Sequence, residues 1–140
     1  PNRQGIMTEE DIHQLAQDYM GYFTRGADAQ QAQFRAVETL WRLCRDDAAL
    51  GFKVIWEAVN LVEADNMKAL AFLGTGPLED LINFHGGEML GRLIEAAREN
   101  ANFCVALSCV WRNAVSEQAW GTLDGALPEI RASHGRVQAL

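Results

Sequence analysis

The chain has 140 residues, 49% of them hydrophobic and 22% charged, with twelve basic against nineteen acidic side chains and a net charge of −7. That size and composition fit one globular domain with one core and need no metal or disulfide staple, and the excess of acid argues against a nucleic-acid backbone or an anionic membrane as the main partner. No apolar run reaches the ~18 residues of a bilayer span, and three cysteines make a sparse, odd set that fits a reducing cytoplasm better than a disulfide framework.

Residues 1–7 read as a disordered segment without the apolar stretch of a signal peptide. Thr8 followed by Glu9, Glu10 and Asp11 is a cap with an acidic first turn. Ile12, Leu15, Ala16, Tyr19, Tyr22 and Phe23 then recur at steps of three and four, and Gly26 ends this first helix. Asp28 is the expected cap of a second, with Phe34, Val37, Leu40, Trp41 and Cys44 inward. Asp46–Asp47 breaks the pattern, and a third helix follows with Phe52, Ile55, Trp56, Val59 and Val62 on one face.

After residues 64–66 a short helix carries Met67, Leu70, Ala71 and Leu73. It is expected to stop at Gly74, and a new helix to start at Pro77 with Glu79 and Asp80 in its first turn. Gly86–Gly87 ends that helix. A further one buries Leu90, Leu93, Ile94 and Ala97, and the last strong one runs from about Asn102 with Phe103, Ala106, Leu107, Val110, Trp111 and Ala114 inward. Past Trp120 the residues Gly121, Gly125, Pro128 and Gly135 punctuate a weakly patterned stretch. The expected organisation is therefore residues 8–120 as a single helical domain and 121–140 as a loose tail with room for one short helix. With no strand alternation and with short links, the fold class is all-α: six or seven short helices in stacked antiparallel hairpins, a HEAT-like bundle.

Chemistry-bearing patterns are few. The block from Leu73 to Leu81 has the glycine-flanked look of an anion loop, but no lysine follows and two acids occupy the helix start, so it reads as capping architecture. His85, on an apolar stripe before Gly86, is a polar-site candidate; as a base it would need a carboxylate from another helix. Its plainer expectation is a half-buried residue capping the end of its own helix. Cys104 and Cys109 lie about 140° apart on a helix and share neither a bridge nor a metal, and no HxxxH, CxxC or HExxH spacing occurs. No cofactor, metal or catalytic residue is expected. Trp41, Trp56 and Trp111 fit core stripes, while Trp120 falls where the pattern fades.

Charge is unevenly spread. Residues 46–99 hold ten acids against Lys53, Lys68, Arg92 and Arg98, or −6 of the total −7. Helix first turns account for several of these acids, and loops gathered on shared edges would turn the rest into a field that steers a basic partner.

Trp56–Glu57, the Leu73–Leu81 block, His85–Gly86, the Ile94–Ala97 run and the stretch Phe103–Trp111 together resemble the bacterial family of unknown function DUF6869, over about residues 50–112. The resemblance implies a small helical domain and brings no activity or catalytic residue. The expected function is a cytoplasmic, non-enzymatic protein-binding module, an immunity protein or inhibitor that occludes a basic bacterial effector or toxin. Asp65, Glu79, Asp80 and Trp120 are its partner-binding candidates. The alternative is a structural or homo-oligomerisation domain in which Trp120 and the tail pack on a second copy.

Overall fold

The computed structural model describes residues 7–25, 31–63 and 65–135. The N-terminal residues 1–6, Gly26, Asp28 and residues 136–140, on which some expectations fell, lie outside the described residues. Within them the chain is an all-α bundle with no strand. Its helices are α1 (Glu9–Arg25), α2 (Gln31–Asp46), α3 (Ala48–Leu61), α4 (Met67–Leu73), α5 (Glu79–His85), α6 (Gly87–Glu99), α7 (Ala101–Ser108) and α8 (Glu117–His134).

Most helix starts have a local cause. Thr8 Oγ1 accepts from the Asp11 N–H at 3.1 Å while Asp11 accepts from the Thr8 N–H at 3.0 Å, a reciprocal capping box. These bonds to Thr8, the backbone N–H first, hold the Asp11 carboxyl below its usual range. Asp47 caps α3 by accepting from Leu50 N–H, as the predicted restart requires, and Asn66, Asn100 and Ser116 do the same for α4, α7 and α8. Gly86, at φ 54° and ψ −130°, ends α5 and opens α6 in a conformation that only glycine adopts without strain.

The expected break at Gly74 does not occur. Gly74 keeps right-handed helical angles, and residues 74–78 form a π turn that joins α4 to α5 as one bent helix. Pro77 has no N–H and its ring crowds the preceding turn. The chain answers by widening: the Glu79 N–H reaches the Gly74 carbonyl, five residues back. A proline at a helix start and one inside a π turn look alike in sequence, which is why the break was expected. Gly74 is needed for packing, because a Cβ there would collide with the Ala106 carbonyl oxygen and sit 2.9 Å from Cys109 Cβ.

The bent helix is the spine. Its α4 half packs on α7, its α5 half packs on α2 and α6, and α1, α2 and α3 form a mutually packed trio. Leu70, Leu73, Leu78 and Leu81 are fully buried along it, each stabilising by roughly 1.5–3 kcal/mol relative to exposure.

Residues 117–134 correct the expectation of a loose tail. They form α8, with Ala119, Leu123, Leu127 and Ile130 buried against α6 and α7. One apolar residue per turn suffices for a helix lying across two others, and Pro128 lies on the exposed side, where water can reach the carbonyl it leaves without an N–H. Arg131 donates to Ser108 Oγ, and His134 Nε2–H donates to the Ala97 carbonyl at 2.7 Å, fastening the far end. Trp111 is also corrected: α7 ends at Ser108, the chain turns extended, and the indole is 68% exposed rather than core. On α2 the buried stripe is Ala36, Leu40 and Cys44, which rotates Phe34 and Trp41 to the surface.

Two glycine substitutions separate packing from propensity. Gly74→Ala should destabilise the fold by about 1–3 kcal/mol through overpacking. Gly91→Ala, on α6 where a Cβ meets nothing within 4 Å, should stabilise it by about 0.4–1 kcal/mol; urea denaturation of both variants measures the contrast.

Candidate functional site

The residues singled out from sequence do not converge on one surface. Asp65 is exposed in the turn before α4, and Asp80 lies about 20 Å further along the bent helix at 1.5 Å per residue. Glu79 is engaged structurally: its Oε2 accepts the Trp111 N–H at 3.0 Å and holds the chain as it leaves α7. Trp120 is half-buried on α8. His85 is half-buried, but it serves a neighbouring helix rather than its own end. Its Nε2 is 2.7 Å from the Cys44 carbonyl in the last turn of α2. A carbonyl only accepts, so Nε2 carries the hydrogen. No ion pair joins His85 to a carboxylate among the described residues.

Around the π turn the structure does group titratable side chains. Tyr19 is buried, with its hydroxyl 3.4 Å from where a Gly76 Cβ would stand. Burial raises its pKa, with the charges of Cys44 and Asp80 adding to the rise. Burial and the Asp80 charge push the Cys44 thiol up to about 12. Burial, then the neighbouring Glu79, raises the Asp80 carboxyl. Burial raises Cys104 and Cys109 as well, the direction that disfavours a thiolate.

A different place has the shape of a binding site. Between the N-terminal end of α1, the middle of α3 and the outer face of α6 lies a cleft of about 360 Å³, within the range of ligand pockets. Phe52 and Trp56, one turn apart on α3, make its floor; their ring centroids are 6.2 Å apart at 27°, and both lean on the buried Phe103. Glu9, Glu57, Glu95 and Glu99 line the rim with Lys53 and Arg92, an excess of two negative charges. Glu57 faces His13 at 3.8 Å and Glu95 faces Arg98 at 3.4 Å, while Glu9, Glu99, Lys53 and Arg92 make no ion pair among the described residues. The Arg92 guanidinium carbon instead sits 4.6 Å over the Phe52 ring.

The cleft is held from behind by asparagines. Asn60 donates to the Trp56 carbonyl at 2.8 Å and accepts from Asn100 at 3.1 Å, and Asn102 donates to the Val62 carbonyl at 3.2 Å. The last two tie the end of α3 to the α6–α7 link and to the first turn of α7. Sequence reasoning named Phe52 and Trp56 as core and counted Glu57, Glu95 and Glu99 only as part of a diffuse charge. The missed signal was the pairing on α3 of aromatic residues at 52 and 56 with charged ones at 53 and 57, which marks a helix face half in and half out of water.

The Asp80 environment makes a pH prediction. Its pKa is raised on folding, so the native state holds this proton after the unfolded chain has released it, and stability falls as pH climbs from about 3.9 through the folded value. Asp80→Asn should therefore melt higher than the parent at pH 7, and the difference should close on acidification below about pH 4; thermal melts across pH follow it.

Comparison with curated proteins and with solved structures returns no match. The family of unknown function DUF6869 matches residues 25–127, from the end of α1 into α8. The match takes in the spine, the floor of the cleft and its α6 rim, and the chain belongs to that family.

Proposed function

We propose that the chain is a protein-binding module that acts by covering a basic surface on its partner, as an immunity protein or inhibitor of a bacterial effector does. The observation that carries this reading is the cleft between α1, α3 and α6. It offers an apolar aromatic floor for an anchoring side chain and a net acidic rim for the positive charge around it. Such a surface selects by complementarity of potential and speeds encounter with a cation. The work is occlusion, and no covalent step is part of it.

One observation favours the second reading, self-association. Trp41 and Phe84 are 41% and 43% exposed and meet edge to face at 5.7 Å where α2 packs on α5, with Arg45 over the indole. An exposed aromatic pair of this kind is a common anchor at interfaces.

Two experiments divide these readings. Glu57→Lys with Glu95→Lys should slow association with the captured partner by about tenfold and flatten its salt dependence, whereas Asp65→Lys, outside the cleft, should leave both unchanged. Equal capture by all three proteins would sink the inhibitor reading. Sedimentation equilibrium tests the other: a dimer that becomes a monomer in Trp41→Ala is its expected outcome, and a concentration-independent monomer in the parent overturns it.

A further inference from the structure

The position of Arg92 suggests what the cleft takes. Four carboxylates line the same space, yet Arg92 pairs with none of them and lies with its guanidinium against the Phe52 ring. Planar stacking on an aromatic face is a preference of guanidinium more than of ammonium. Arg92 is an exposed residue on the outer face of α6, and no ion pair among the described residues anchors its head. The ring holds it, and little else does.

We propose that the cleft is an arginine-recognition subsite in which Arg92 is a displaceable internal plug, occupying in the free protein the place that an arginine side chain of the partner takes in the complex. The inference rests on the protein-binding reading and names the side chain that reading leaves open. When Arg92 swings into solvent, an incoming guanidinium gains the Phe52 face and the edge of Trp56. It also gains the carboxylates of Glu57 and Glu95, whose present neighbours His13 and Arg98 stand at 3.8 and 3.4 Å, beyond close hydrogen-bond distance. A carboxylate meets a guanidinium through two parallel N–H bonds, which an ammonium cannot supply. The plug also keeps the aromatic floor covered while the cleft is empty, which limits non-specific apolar contacts.

The test uses the full chain and two short probes of equal length, an oligoarginine and an oligolysine peptide, titrated at low salt and followed by NMR shifts of the Trp56 indole. The parent should bind oligoarginine more tightly. Arg92→Ala should bind it about tenfold more tightly still, a difference of 1.4 kcal/mol, with little gain for oligolysine. Lys53→Ala removes the same charge from the rim without uncovering Phe52, so it should gain clearly less. Glu57→Gln with Glu95→Gln should lose most of the oligoarginine binding. Equal gains in Arg92→Ala and Lys53→Ala, or equal gains for both peptides, would reduce the effect to net charge and overturn the plug. No shift of the Trp56 indole with oligoarginine would overturn the subsite, whatever partner the protein captures. Arginine-selective binding without any protein partner would leave the subsite standing and remove the inhibitor reading.

Discussion

Closeness between two backbones governs this molecule. Gly74 lets the bent helix 67–85 press onto α7 until a hydrogen atom is all that fits between the chain and the Ala106 carbonyl. Three residues later Pro77 withholds an N–H, and the π turn absorbs the loss without ending the helix. The first fixes where α7 lies; the second sets the direction in which α5 leaves toward α2 and α6. Every other helix is placed against one half of this spine or against a helix that is.

What could be read from sequence follows from how local each cause is. Thr8, Asp47 and Gly86 act within three or four residues, through a cap or a backbone conformation, and their roles were legible. The same local rules misplace Gly74 and Pro77, because the reason for Gly74 is Ala106, on another helix. The 121–140 stretch misled for a related reason. Its glycines and Pro128 are exposed and lower helix propensity, while the packing of Leu123, Leu127 and Ile130 on α6 and α7 restores it. Trp111 errs in the opposite sense: the helical period continues in the sequence to Ala114, six residues past the end of α7.

Six of the ten acids of residues 46–99 fall into two groups. Asp47 and Glu79 hold backbone N–H groups, and Asp46 pairs with Arg45 through two bonds at 2.8 and 2.9 Å. These are bound into the fold. Glu57, Glu95 and Glu99 point instead to the aromatic cleft, where Glu9 from α1 joins them. Only the bundle brings α1, α3 and α6 side by side, so this sorting had no counterpart in the linear order of charges.

The asparagine ties behind the cleft have a kinetic meaning. Asn60 grips the backbone of the floor residue Trp56 and the α6–α7 link at once, and two residues further along each segment of chain Asn102 holds the Val62 carbonyl. These bonds brace the α3 floor against the start of α7, which lowers the entropy a bound ligand would lose in ordering it. Only the Arg92 side chain has to move, and rotamer changes of exposed residues take picoseconds to nanoseconds. On the proposed reading, a cleft gated by one side chain would bind as quickly as diffusion and steering bring the ligand, and differences among ligands would appear in how long they stay.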